Sequence, residues 1–287
     1  MKISVIQTNT MHDKARNLAQ AKTLIEHAIA ADRPDVLVLP EVWNWRGGTT
    51  ADKVREADEI PSVCPSDART HPGGGMAYAL LQSLAREHKV WIHGGSIIER
   101  IPGGNQVHNT TCVFNRDGRE IARYRKIHMF DITAPDGTSY RESDDVKAGT
   151  EIVSYDLEGF KIGCTICYDM RFSELYIQLA KQGCDVIMIT SSFTLQTGKD
   201  HWDLLLRARA VETQCYIVAP GQYGPFVDGK GQTRQSYGHS LIADPWGHIV
   251  TKVSDGIGFA SANIDRAQLT RVRELIPMNA HRKLKVD

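Results

Sequence analysis

The chain has 287 residues, and its 34 lysine and arginine residues balance 34 aspartate and glutamate residues. Without a concentrated basic patch, nucleic-acid binding is poorly supported, and no apolar run reaches the length of a membrane span. The length allows a large core in one α/β domain or two. Because the amino terminus reads as a strand without a signal-peptide pattern, we expect the six cysteines to stay reduced in the cytoplasm.

Strand-like and helix-like segments alternate along the chain. An apolar strand at the amino terminus is followed by apolar residues at helical spacing between Leu18 and Ile29, and then by a buried strand at 35–39. This β-α-β opening indicates an α/β fold. The later segments predict strands at 90–98, 107–114, 120–124, 159–167, 185–190, 215–219 and 257–264, and helices at 77–88, 173–180, 201–212 and 265–275.

Three segments lack a regular pattern. Residues 47–75 contain three prolines and three consecutive glycines, which predict a long surface loop bordering the cleft. Residues 132–150 predict a polar loop. The glycine-rich residues 221–231 either help to cover the site or form a surface excursion.

The segment from Gly159 to Phe172 carries the clearest chemical signal. Its strand-like part ends at Cys167 and passes into a helical pattern, so the thiol is expected at a tight turn. N–H groups at the following helix start can hold an oxyanion. Cys164 and Cys167 also have the spacing of a metal or redox pair, but residues three apart on a strand point to opposite faces. The local pattern leaves a catalytic thiol and a buried structural thiol both open.

Two charged residues follow other predicted strands. Glu41 follows a buried strand, at the edge where open α/β sheets place ligands, and Lys126 follows the strand at 120–124. Glu41 could instead cap the sheet, and Lys126 could be solvated. Taken with Cys167, the residues indicate acyl transfer, with Glu41 as base and with Lys126 and the Tyr168 N–H stabilising an oxyanion. A cysteine–histidine protease is the alternative, although none of the eleven histidines is singled out.

Three segments, Leu39-Pro40-Glu41, 124–128 and 167–172, resemble the signature segments of the nitrilase superfamily of carbon–nitrogen hydrolases, in the same order. The resemblance covers nearly the whole chain. It implies that Cys167 is the nucleophile, Glu41 the general base and Lys126 the oxyanion stabiliser. It also implies that Glu142 is a second active-site glutamate, which orients Lys126 and shapes the position of the substrate amide. Further segments resemble the Nit amidase branch of the superfamily: 192–193, 197–198, 201–202, 205–210, 237–240 and 244–247.

The same resemblance implies a four-layer α-β-β-α sandwich in a single domain that spans residues 1–287. It implies subunits that associate as a homodimer or a higher homo-oligomer. Neither a metal nor an organic cofactor is expected, because a thiol, a carboxylate and an amine suffice for the reaction. Nucleic-acid and membrane partners are not expected, and the partner is a small amide that carries a carboxylate.

The residues after Cys167, Tyr-Asp-Met-Arg-Phe, resemble amidases rather than true nitrilases, which generally have Trp-Glu at this point. The segments at 209–216 and 236–240 resemble deaminated-glutathione amidases, and ω-amidases share most of them. The implied reaction hydrolyses a linear non-peptide amide through a thioester acyl-enzyme and releases ammonia. Arg171 is the candidate contact for a substrate carboxylate, with Thr197 as a hydrogen-bonding helper. A structural alternative has Arg171 bound to Glu174 or Glu212.

Other functions stay open at this stage. They are an ω-amidase acting on α-ketoglutaramate, a nitrilase, an N-carbamoyl amide hydrolase, and an acyl transferase that uses an amine in place of water. A non-catalytic oligomeric scaffold of the same fold is the alternative outside enzymology. His128, His201 and His239 are predicted to be structural.

Overall fold

The computed structural model describes residues 1–61, 74–134 and 137–284. The helices are α1 (Lys14–Asp32), α2 (Thr50–Glu56), α3 (Met76–His88), α4 (Ser173–Lys181), α5 (Leu195–Thr213), α6 (Arg266–Leu275) and α7 (Met278–His281). The strands are β1 (Lys2–Gln7), β2 (Val36–Val38), β3 (Trp91–His93), β4 (Ile97–Arg100), β5 (Val107–Phe114), β6 (Glu120–Arg125), β7 (Asp131–Thr133), β8 (Ser139–Arg141), β9 (Ser154–Leu157), β10 (Phe160–Ile166), β11 (Val186–Thr190), β12 (Tyr216–Ala219), β13 (Tyr223–Val227), β14 (Thr233–Tyr237), β15 (Leu241–Ala243), β16 (Ile249–Lys252) and β17 (Gly258–Asn263).

Two large sheets organise these elements. The first has the order β17-β1-β2-β3-β5-β4, with β6 also paired to β5, and its central strands β1, β2 and β3 are parallel. The second has the order β16-β15-β12-β11-β10-β9, with β10, β11 and β12 parallel. Strands β7 and β8, and strands β13 and β14, form separate hairpins.

Alternate side chains along β2 divide the core. Val36 and Val38 belong to the hydrophobic cluster that includes Ile162 and Ile166 of the second sheet, whereas Leu37 packs with the helices α1 and α3. This alternation is the period of two expected of a strand buried on both faces. Helices α4 and α5 cover the other face of the second sheet. The predicted four-layer α-β-β-α sandwich is confirmed.

The structure corrects the prediction of a loop at 47–75. Residues 50–56 form the helix α2, which begins with a capping box between Thr49 and Asp52. That pair is a signal readable in the sequence, since a threonine followed three residues later by an acid is typical of a helix start. Residues 62–73 of the predicted loop lie outside the described residues.

The predicted strand at 90–98 is two strands, β3 and β4, separated at Gly94 and Gly95. Gly95 has a positive φ of 61°, and a side chain there would collide with the carbonyl oxygen of Pro40. Only glycine combines that backbone conformation with such a close approach. The break therefore fits the chain against the segment that leads into Glu41.

Helix α5 differs from its prediction in its start. It begins at Leu195 rather than His201, because the Thr194 side chain caps it by accepting a hydrogen bond from the Thr197 N–H. Thr197 therefore lies in the first turn of a helix and not in a loop. Leu204 and Val211 of this helix are apolar but 66% and 47% exposed.

Both remaining irregular segments contain strands. Residues 132–150 include most of β7, all of β8 and a short 3-10 helix that begins at Glu142. Residues 221–231 include β13 and the turn of its hairpin. Residues 115–118 and 244–247 form hairpin turns. Within the described ranges, no helix is both long and apolar enough to cross a membrane.

Candidate active site

Cys167 lies where β10 ends and a 3-10 helix, Cys167–Arg171, begins. Its φ is 48°, in the left-handed region that non-glycine residues seldom adopt, and helix α4 follows at once. The strand-to-helix turn predicted from the sequence is therefore present. Such strained positions persist only where surrounding contacts hold them.

Asp169 makes several of the contacts that hold the turn at Cys167 in place. Its carboxylate is fully buried and accepts hydrogen bonds from the Ile166 N–H at 2.9 Å, the Tyr124 hydroxyl at 2.6 Å and the His128 N–H at 3.0 Å. Ile166 belongs to the second sheet, whereas Tyr124 belongs to the first. Asp169 thus ties the turn at Cys167 to the segment that carries Lys126.

Lys126 is buried between two carboxylates. Its Nζ lies 3.0 Å from Glu41 Oε1, and 2.9 and 2.7 Å from the two carboxylate oxygens of Glu142. Glu142 Oε2 also accepts a hydrogen bond from the Phe130 N–H at 2.7 Å. The predicted orientation of Lys126 by Glu142 thus has a direct geometric counterpart.

Burial and charge act on the titration of Lys126 and Cys167. Burial alone would lower the pKa of Lys126, but the carboxylates of Glu142 and Glu41 raise it well above the usual lysine value. For Cys167, burial raises the pKa of the thiol and the nearby Glu41 carboxylate raises it further. Lys126 and a hydrogen bond from the Ser192 N–H oppose that increase. These effects favour a protonated thiol beside a charged lysine.

Two residues that position Glu41 were missed in the sequence. The Asn109 side chain donates to Glu41 Oε1 at 2.9 Å, and the Gln222 side chain donates to the Glu41 carbonyl at 2.9 Å. Asn109 lies 68 residues and Gln222 lies 181 residues from Glu41 along the chain. No local pattern marks either one, because contacts between segments far apart in the chain bring them to the site.

A cavity of about 610 Å³ opens above these groups, within the range of small-molecule sites. Every site residue predicted from the sequence lines it, so the structure brings the whole set together. Those residues are Glu41, Lys126, Glu142, Cys167, Tyr168, Arg171 and Thr197.

Arg171 extends along one wall of the cavity. Its guanidinium lies 5.9 Å from the Tyr168 ring centroid and 5.6 Å from that of Phe193, and one Nη lies 3.2 Å from His201 Nδ1. The alternative ion pair of Arg171 with Glu174 or Glu212 is not observed. Glu212 instead forms an ion pair with Arg209 at 2.5 Å. Among the described residues, Arg171 has no carboxylate within ion-pair distance.

A second arginine of the cavity, Arg46, was also missed. It follows Glu41 by five residues, and its guanidinium carbon lies 3.3 Å above the Phe226 ring centroid. Its Nη1 donates to the Ser236 hydroxyl at 2.6 Å. Phe226 and Ser236 belong to the hairpin β13–β14, so the glycine-rich segment does help to enclose the site.

The histidines predicted to be structural make structural contacts. His128 Nδ1 lies 2.8 Å from Asp169 Oδ1, and its ring stacks on Phe172 at 3.7 Å between centroids. His239 Nδ1 lies 2.8 Å from the Tyr237 carbonyl oxygen. Outside residues 62–73, 135–136 and 285–287, no cluster of three or more metal-ligating side chains is found.

Comparison with known families decides the membership. The carbon–nitrogen hydrolase profile matches residues 2–274, nearly the whole chain. The chain belongs to the carbon–nitrogen hydrolase family. It is therefore an enzyme that hydrolyses carbon–nitrogen bonds, as the resemblance in the sequence implied.

Named relatives of this carbon–nitrogen hydrolase agree with that membership. The deaminated glutathione amidase of Synechocystis sp. is 35% identical over 282 residues, which cover 97% of each chain. Omega-amidase NIT2 of Mus musculus is 34% identical over 277 residues, which cover 96% of this chain and 93% of that protein. The solved structure of Saccharomyces cerevisiae Nit3, a member of branch 10 of the nitrilase superfamily, gives a TM-score of 0.82 at 30% identity. It covers 97% of this chain and 94% of its own.

Proposed function

We propose that this hydrolase is a cysteine-dependent amidase in which Cys167 attacks the amide carbonyl. The observation that carries the proposal is the buried contact of Lys126 with Glu41 and Glu142 in the cavity that Cys167 also lines. A buried lysine held by two carboxylates stays charged, as an oxyanion stabiliser must. A carboxylate that is hydrogen-bonded to a protonated thiol suits a general base.

The first half-reaction forms the acyl-enzyme. Glu41 takes the thiol proton as the sulfur of Cys167 bonds to the carbonyl carbon, and the carbonyl oxygen becomes an oxyanion. The Lys126 ammonium and the Tyr168 backbone N–H stabilise that oxyanion. Collapse of the intermediate re-forms the carbonyl and breaks the carbon–nitrogen bond, while protonated Glu41 delivers its proton to the leaving nitrogen.

The second half-reaction consumes water. Glu41, again a carboxylate, takes a proton from water as the water oxygen attacks the thioester carbon. The same two donors stabilise the second oxyanion, and its collapse expels the Cys167 sulfur, which recovers a proton from Glu41. The products are a carboxylic acid and an amine, and the enzyme returns to its initial state.

The substrate carries a carboxylate on its acyl side, and Arg171 binds it. This role is supported by the absence of a carboxylate partner for Arg171 among the described residues and by its place on the nucleophile's own 3-10 helix. The relatives named as deaminated glutathione amidase and omega-amidase support an α-keto acid amide as the substrate. Thr197 lines the same wall and can add a hydrogen bond.

The expectation of ammonia as product applies only to primary amides. Deaminated glutathione is a secondary amide, so its hydrolysis releases cysteinylglycine rather than ammonia. The test therefore measures cysteinylglycine from deaminated glutathione, ammonia from α-ketoglutaramate and ammonia from a simple aliphatic nitrile. Wild-type protein is compared with Cys167→Ala, and Cys164→Ala serves as the matched control because Cys164 is a fully buried thiol three residues upstream.

Cys167→Ala is expected to lose at least about a thousandfold in turnover, whereas Cys164→Ala stays active. Preference for deaminated glutathione supports the repair amidase, and preference for α-ketoglutaramate supports the ω-amidase. Activity on the nitrile alone would contradict an amidase. Turnover that survives in Cys167→Ala would overturn the mechanism.

We also propose that two copies associate through the exposed face of α5. Leu204, Val211 and Trp246 are large apolar residues exposed by 66%, 47% and 44%, and Arg207 joins α5 to the Trp246 turn by donating to the Gly247 carbonyl. Exposed apolar patches often mark subunit contacts. Sedimentation velocity of wild type and Leu204→Glu tests the proposal, and a monomeric wild type would contradict it.

A reducing, cytoplasmic setting suits this chemistry. The described cysteines, at positions 112, 164, 167, 184 and 215, are all free thiols. A thiol nucleophile is inactive once oxidised, and reducing compartments preserve it. Localisation of a tagged full-length chain in its source cells tests this placement.

A further inference from the structure

Two of the guanidiniums that line the cavity are held by different residues. Arg171 stands between Tyr168 and Phe193, on the segment that carries the nucleophile. Arg46 belongs to the segment that carries Glu41, and its guanidinium lies over the Phe226 ring. One cavity thus contains two guanidiniums, each of which can bind an anion.

Of the described acidic residues that line the same cavity, all but the exposed Asp144 form ion pairs. Glu142 contacts Lys126, Asp145 contacts Lys53 at 2.5 Å, and Asp228 contacts Arg234 at 2.9 Å. Within the described residues, no carboxylate lies within ion-pair distance of Arg46 or Arg171. The other basic residues of the lining, Arg141 and Lys230, are exposed to solvent.

Arg46 is held in place without being neutralised. Its side chain is fixed by the Phe226 ring and the Ser236 hydroxyl, neither of which carries charge. Burial lowers the pKa of Arg46 to about 10, although the nearby Glu41 carboxylate opposes that decrease, so the group stays charged at neutral pH. A partly buried cation without a counter-ion is costly, and an anionic ligand removes that cost.

The reaction geometry indicates which part of the substrate reaches Arg46. Glu41 delivers the proton to the leaving nitrogen in the proposed mechanism, so it must lie within hydrogen-bond distance of that atom. Substituents on the leaving nitrogen therefore begin beside Glu41. Arg46 follows Glu41 by five residues and lines the same cavity, whereas Arg171 follows Cys167.

We infer that Arg46 binds an anionic group on the leaving amine, so that the preferred substrate is a secondary amide with one carboxylate on each side of the scissile bond. This inference rests on the proposed amidase function and adds a second specificity-determining residue to it. Arg171 recognises the acyl side and Arg46 the amine side. A carboxylate can receive two parallel N–H donors from one guanidinium, which gives both strength and orientation.

Two matched substrates isolate the contribution of Arg46. One is the γ-amide of α-ketoglutarate with glycine, and the other is the γ-amide with glycinamide, in which a neutral carboxamide replaces the leaving-side carboxylate. The acyl halves are identical, so any contribution of Arg171 cancels. The measured quantity is the ratio of kcat/KM for the glycine amide to kcat/KM for the glycinamide.

Wild type is expected to favour the glycine amide by about tenfold or more, as one lost charge-assisted contact predicts. In Arg46→Met the ratio falls to about one, and Arg46→Lys keeps part of it because lysine retains charge without the planar fork. Arg141→Met removes an exposed positive charge and tests for a general field effect, so its ratio should remain that of wild type. Equal losses on both substrates in Arg46→Met would show a merely structural role and overturn the inference, as would a wild-type ratio near one.

Binding to the Cys167→Ala protein separates this inference from the proposed function. Calorimetry compares the affinities of the same two amides for Cys167→Ala and for Cys167→Ala/Arg46→Met. A carboxylate preference that disappears with Arg46 supports the inference even if wild type turns over neither amide, in which case only the proposed amidase fails. Equal affinities in Cys167→Ala, with wild-type activity on α-ketoglutaramate, would overturn the inference and leave the amidase standing.

Discussion

The side-chain amide of Asn109 donates to Glu41 Oε1, the same oxygen that Lys126 contacts, so one carboxylate atom receives two buried donors. Asn109 does not reach the thiol in this arrangement. It acts by orienting the base, and an error in that orientation is expected to slow proton transfer more than it weakens substrate binding.

Asn109→Ala is therefore expected to lower kcat by about tenfold to a hundredfold with little change in KM. Steady-state kinetics on the better amide substrate measures both constants. Cys112→Ala is a matched control, because Cys112 lies on the same strand β5 but packs in the cluster with α1 and α3. A rise in KM at constant kcat would show that Asn109 binds substrate instead.

Glu142→Gln should change the alkaline limb of the pH profile. The Glu142 carboxylate is the main charge that raises the pKa of Lys126, so removing it lowers that pKa. Since Lys126 must be protonated to stabilise the oxyanion, activity is then lost at a lower pH than in wild type. Profiles of kcat/KM between about pH 6 and 10 check the shift. Glu151→Gln, at an exposed position, should retain the wild-type pH profile. An unshifted pH profile in Glu142→Gln would contradict the role of Lys126 as oxyanion stabiliser.

Glu41→Gln should have opposite effects on turnover and on thiol ionisation. The Glu41 charge raises the pKa of Cys167, so its removal lets the thiol ionise at lower pH. Turnover should meanwhile fall by about a hundredfold or more, because the general base is lost. The pH dependence of alkylation by iodoacetamide measures the thiol. A higher midpoint pH of alkylation in Glu41→Gln than in wild type would contradict the assigned effect of Glu41 on the thiol. A shifted midpoint in the exposed Glu59→Gln would contradict it as well.

Asp169→Ala should destabilise the fold as well as the site. It leaves the Tyr124 hydroxyl and the N–H groups of Ile166 and His128 buried without their acceptor. The expected loss is at least about 3 kcal/mol in the free energy of unfolding, measured by urea denaturation. Asp169→Asn keeps the shape and one acceptor oxygen, so it should lose less. The exposed Asp156→Ala is the control, and equal losses in Asp169→Ala and Asp156→Ala would rule out this role.

The strand-end residues could be predicted because each lies in a local pattern. Glu41 and Cys167 follow apolar runs, Lys126 follows a strand of alternating pattern, and sheets bring such ends to one edge. Asn109, Arg46 and the residues that hold them could not be found in the same way. Arg46 meets Ser236 across 190 residues of chain, and no spacing within either segment reports that contact.

The secondary-structure errors also have local physical causes. The start of α2 was hidden among prolines and glycines, although its capping pair was present in the sequence. The break in the predicted strand at 90–98 depends on a close approach to Pro40, which is a long-range contact. Helix α5 was placed too late because its first turn holds the polar residues Gln196 and Thr197, which interrupt the apolar pattern.

Glu41 and Lys126 follow strands of the first sheet, whereas Cys167 follows a strand of the second. Chemistry therefore requires the two halves of the sandwich to keep one mutual alignment, and side chains such as Val36 and Ile166 between the sheets maintain it. A slip of an ångström between the sheets would separate base from nucleophile while every helix and strand stayed intact. The reaction rate therefore reports the relative position of the two sheets more sensitively than any measure of secondary-structure content.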